Sequence, residues 1–81
     1  MNTPKEYAET WLETPGADDA LELTMMLQHG KHSPAVKMTA QAVLMSFLEG
    51  WLNQWAGVEY NSDFAMAVYR EVIEEGEKRF G

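Results

Sequence analysis

Cysteine is absent from the 81 residues. That excludes disulfide bonds and thiolate metal ligands, so an apolar core alone must hold the fold. Basic side chains are scarce, six against 13 acidic ones. They form no cluster of the kind that displaces counterions from a phosphate backbone, so direct nucleic-acid binding is not expected. Long apolar runs are missing as well. The longest uncharged stretch of the most apolar segment runs from Met38 to Leu48, between Lys37 and Glu49, well short of the roughly 20 residues a bilayer requires. A helix lying on a membrane surface carries Lys and Arg on its polar face, whereas this segment offers Thr39, Ser46, Glu49 and Asn53. The start of the chain has no basic stretch followed by an apolar run, so no secretion signal is expected and the chain reads as cytoplasmic, without a membrane partner.

Catalytic equipment is also lacking. No serine sits in a nucleophile-elbow context, and the six glycines match neither a phosphate loop nor a dinucleotide fingerprint. Asp18-Asp19 and Glu74-Glu75 are paired carboxylates. Adjacent helical residues point about 100° apart, however, and both segments read as solvated, so nothing drives their pKa values apart for acid–base work. His29 and His32 have the spacing of a ligand pair, but Gly30 between them places one at a helix end and the other in a loop, with no third ligand nearby. The expectation is a chain without metal or cofactor and without enzymatic activity.

What the chain does have is helical patterning from end to end, divided by cap and proline signals into four segments. Thr3-Pro4-Lys5-Glu6 is a capping-box start, and the first helix places Tyr7, Ala8, Trp11 and Leu12 on one face before Pro15-Gly16 stops it. The second runs from about Ala17 to His29, with Asp18 and Asp19 at its positive end, a wide apolar arc from Ala20 to Leu27, and Gly30 as terminator. Ser33-Pro34 opens a third and longest helix that Gly57 closes. The tight connection between the two predicts an antiparallel hairpin with Gly50 as a point of close approach. After Val58-Glu59-Tyr60, any of Asn61, Ser62 and Asp63 can cap a fourth helix running to about Arg79. Its apolar face is Phe64, Ala65, Val68, Tyr69, Val72 and Ile73, and Glu74 and Glu75 precede Lys78 and Arg79 by one turn. The fold class is therefore all-α: one compact four-helix domain over residues 1–81 with the long third helix at its centre.

That third helix is apolar around most of its circumference. Val36, Ala40, Val43, Leu44, Phe47, Trp51 and Trp55 form a main stripe expected to face the core, Trp51 and Trp55 included. Met38, Met45 and Leu52, seven residues apart, form a second stripe beside it and are the candidate partner-binding seam. Excess apolar surface of this kind suits a non-enzymatic protein–protein interaction protein, a small acidic adaptor or regulator that pairs with a twin subunit as a homodimer. The charge suggests an alternative. Residues 1–29 carry −5, residues 30–58 carry +1 and residues 59–81 carry −3. Acidic rows such as Glu71, Glu74 and Glu75 are candidates for binding the basic groove of a nucleic-acid-handling protein, as a phage- or mobile-element-type inhibitor of defence or transcription would.

Overall fold

A computed structural model of the chain describes residues 3–57 and 61–81; the connection Val58-Glu59-Tyr60 of the sequence reading lies outside the described residues. The described chain is four helices: α1 (Pro4–Leu12), α2 (Ala17–His29), α3 (Pro34–Gln54) and α4 (Ser62–Phe80). The third is the longest, as its patterning predicts. Among the described residues no helix is long and apolar enough to cross a membrane.

The helix starts lie where the cap signals place them, whereas α1 ends at Leu12, before Pro15-Gly16, and α3 ends at Gln54, before the Gly57 expected to close it. Thr3 Oγ1 accepts the Glu6 N–H at 3.2 Å and donates to the Glu6 carboxylate at 3.0 Å, while Ser33 Oγ accepts the Val36 N–H at 3.3 Å. Of the three candidates for the last helix, Asn61 is the cap: its Oδ1 accepts from both the Asp63 and Phe64 N–H groups, at 3.0 and 3.1 Å. α2 begins without a side-chain cap. Gly16, at φ 82°, takes the left-handed turn that lets α2 start at Ala17, four residues after the α1 C-cap Glu13.

α4 packs against each of the other three helices, and α2 does the same, whereas α3 packs on α2 and α4. The core is built from Ala8, Trp11 and Leu12 of α1, Leu21 and Met25 of α2, Leu44, Leu48 and Leu52 of α3, and Ala65, Val68 and Val72 of α4. Tyr7 closes one end edge-on to Phe64, ring centroids 5.4 Å apart. The tightest approach is between α2 and α4 at Gly76, where a Cβ would stand 2.8 Å from Leu21 Cδ1 and 2.9 Å from Met25 Sδ. This is the close-approach glycine of the fold. Gly50, expected in that role, has open space around it.

Of the row its pattern suggests, α3 fully buries only Leu44. Leu44, Leu48 and Leu52, at i, i+4 and i+8, enter the core, while Val36, Val43 and Phe47 of the expected main stripe stay exposed. Trp51 is partly packed against the core and Trp55, at the C-cap, is 78% exposed. The cause is geometric. With neighbours on two sides only, α3 can bury the arc between them, and its remaining apolar surface is left to solvent.

Candidate protein-docking site

α2 and α3 form the predicted antiparallel hairpin. The Gly30 N–H closes α2 on Met26 O at 2.9 Å, Ser33 opens α3, and Gln28 ties the two helices together. Gln28 Nε2 donates to Lys37 O at 3.1 Å, and its Oε1 accepts from Gln41 Nε2 at 2.8 Å. Gln28 and Gln41 share a shallow recess with Tyr69 and Ile73 of α4, so this tie lies on the side facing α4.

On the other side the helices diverge into a groove of about 450 Å³. Ala20, Leu23, Thr24 and Leu27 line it from α2; Val36, Ala40, Val43, Leu44 and Phe47 line it from α3, with Ala35 and Thr39 at its edge. Thr24 and Leu44 are buried and make the floor, while the walls are exposed, Leu23 at 57% and Phe47 at 59%. None of the lining residues is ionisable. The two hydroxyls are already used by the helices that carry them: Thr24 Oγ1 donates to Ala20 O and Thr39 Oγ1 to Ala35 O, both at 2.8 Å. The groove therefore offers an occupant apolar contact and almost no hydrogen bonding, which selects for a hydrophobic side-chain surface and against a polar ligand.

The expected seam is not one surface. Met38 is 68% exposed, Met45 is half-buried against the core, and Leu52 is in the core at 4%. A straight helix turns its seven-residue row by about 20° per heptad, so a row that starts clear of α4 at Met38 has rotated into the interior by Leu52. The usable apolar surface lies on the other flank of α3. Its residues carried a signal in the sequence, the wide arc of α2 facing the all-round apolar α3, but that pattern reads equally as core.

The acidic candidates are brought together more than their separation in sequence suggests. Glu9 and Glu13 of α1 meet Glu71, Glu74 and Glu75 of α4 around a cleft of about 320 Å³ floored by Ala8 and Leu12. Lys5, Lys78 and Arg79 line the same cleft. Arg79 binds Glu75 at 3.2 Å and reaches Asp18 of α2 at 2.6 Å. His29 faces Glu77 across the α2–α4 contact at 3.1 Å, while the ring of His32 lies over Gly30, so the two histidines do not converge. Among the described residues no group of three His, Cys, Asp or Glu side chains is placed to hold a metal ion. Among the described residues the Tyr69 phenol is pushed above its ordinary pKa by burial.

No family model matches the chain, and no curated protein or solved structure is significantly similar to it.

Proposed function

We propose that this chain is a non-enzymatic protein-interaction module that docks its partner in the groove between α2 and α3. The observation that carries the reading is that groove: a concave, uncharged, apolar surface on a chain of net charge −7. Surfaces of this kind on small domains mark interaction sites, because leaving Leu23, Val43 and Phe47 in water has a cost that the fold itself does not require. The lining has no ionisable group, and its two threonine hydroxyls donate within their own helices, which favours binding over catalysis. A photo-reactive phenylalanine analogue at Leu23 is the direct test. In cells making the protein it should give discrete protein adducts that disappear when Phe47→Glu is added, while the same probe at Met66 on α4 gives none of them. Adducts unaffected by Phe47→Glu, or none at all, would count against the groove.

The inhibitor alternative draws on one feature, the meeting of Glu9, Glu13, Glu71, Glu74 and Glu75 around one cleft. Lys5, Lys78 and Arg79 interrupt it, which weakens the likeness to a phosphate backbone. Reversing Glu71, Glu74 and Glu75 to lysine separates the two readings: groove adducts survive it, whereas an acidic-surface inhibitor loses its target.

A further inference from the structure

Resting on the reading of the groove as a docking site, we propose that its occupant is the same face of a second copy, with α2 and α3 each lying antiparallel to their own counterparts across a two-fold axis.

Charge argues for this arrangement first. Two chains of −7 repel wherever their acidic surfaces meet, and α2 carries Asp18, Asp19 and Glu22 in addition to the acids of α1 and α4, but the groove lining carries none. The lining is an uncharged surface along which two copies can approach. The ends of the α2–α3 face have opposite signs. Asp19 stands one turn before Leu23 at the start of α2, and Lys31 lies in the connection at the other end. An axis across the helices reverses one copy end for end and sets each Asp19 beside the twin's Lys31, satisfying both ends at once. An axis along the helices would set like against like. The face is thus complementary to itself in one orientation.

Shape and area agree with it. Phe47 and Val43 are exposed in a lining that also has small residues at Ala20 and Ala40, so the large side chains of one copy have the small positions of the other to enter. α3 is about 30 Å long and α2 about 20 Å, each about 10 Å wide, giving on the order of 500 Å² per copy. The total of about 1,000 Å² is below the range of standard stable pairs and fits a weak, reversible dimer rather than a permanent one.

The test is light scattering on the full chain over about 10 μM to 1 mM, the range suited to a pair of this size. The mass should rise from 9.2 kDa toward twice that value, and Phe47→Glu should hold it at the monomer with unchanged helical circular dichroism. Because the chain has no cysteine, a single introduced thiol reports geometry independently. Val43→Cys, close to the axis, should couple to itself through a short bis-maleimide at least tenfold faster than Met66→Cys on α4. A monomer throughout the range, with equal coupling at both positions, overturns self-pairing. If Leu23 adducts to other proteins then persist, only the occupant falls; if they too are missing, the docking reading falls with it. A dimer that Phe47→Glu leaves intact also overturns the proposal, since it must use another face.

Discussion

Two glycines in helices of the same fold have opposite environments. Gly76 is buried with Leu21 and Met25 packed where a Cβ would be. Both side chains are themselves enclosed by the core, so Gly76→Ala must force α2 and α4 apart. Overpacking of this kind costs about 1–3 kcal/mol, more than the roughly 1 kcal/mol gained by replacing glycine with alanine in a helix, and chemical denaturation should show a net loss. Gly50 is exposed with nothing near it, and Gly50→Ala should raise the stability of the monomer by up to about 1 kcal/mol. Equal effects at the two positions would mean that α4 does not approach α2 as described. Tyr69 supports a second measurement. Its raised pKa means that above about pH 10 the unfolded chain releases the phenolic proton while the folded chain retains it. The contribution is complete below that pH and is lost as pH rises through the folded pKa. Tyr69→Phe should therefore flatten the fall in stability above pH 10 and leave the neutral range nearly unchanged, as followed by denaturant titrations at stepped pH.

At the scale of the helix, the ends carry more than the exposed charges do. Asn61 Oδ1 satisfies two N–H groups at the start of α4, and α4 is packed against all three other helices, so fraying there loosens the whole. Asn61→Ala should lower stability by about 1 kcal/mol and Asn61→Gly by only a few tenths. Arg79→Gln, which removes ion pairs to two largely solvated carboxylates, should cost less than Asn61→Ala. A larger loss from Arg79→Gln would show that the bridge to Asp18, not the cap, secures α4. The same contrast explains what was legible in the sequence. Caps, prolines and terminal glycines are local chemistry, and the four helices and where they start could be read from Thr3-Pro4, Gly16, Ser33-Pro34 and the Asn61-Ser62-Asp63 run, while α1 and α3 stop three residues short of the glycine or proline signals that follow them. The buried faces of α1 and α4 were legible too, because each has a polar side to contrast with the apolar one. α3 was not. A helix apolar almost all round gives periodicity no polar strip from which to take its bearing, so Leu48 escaped notice while Phe47 beside it was placed in the core. The orientation of α3 is set by where α2 and α4 stand, and that is tertiary information. The exposed apolar surface of α3 differs from the expected one for the same reason: Leu52 of the expected seam is in the core, whereas Val36, Val43 and Phe47 of the expected core stripe are exposed.

For the molecule as a whole, two separate surfaces differ in character: an acid-rich cleft between α1 and α4 and an uncharged apolar groove between α2 and α3. A chain of 81 residues buries a small core and has little stability to spare, so occupation of the groove should be visible in the melting temperature itself. A ligand that binds only the folded state stabilises it by mass action, and when the ligand is a second copy the effect depends on the protein's own concentration. Above the dissociation constant, each tenfold rise in concentration should add about 0.7 kcal/mol per chain, half the tenfold increment because two chains share each interface. That corresponds to about 3–5 °C for a domain of this size. Phe47→Glu should abolish the concentration dependence. At high dilution it should leave the melting temperature within a degree or two of the parent, since Phe47 is largely exposed in the single chain. The dilute value tests the fold and the slope with concentration tests the face. A parent protein whose melting temperature does not move over two decades of concentration has an empty groove in solution, and the apolar surface of α3 would then be waiting for a different protein. A variant that already melts low at high dilution would instead mean that Phe47 supports the single chain, and that α3 buries more of its circumference than Leu44, Leu48 and Leu52 alone.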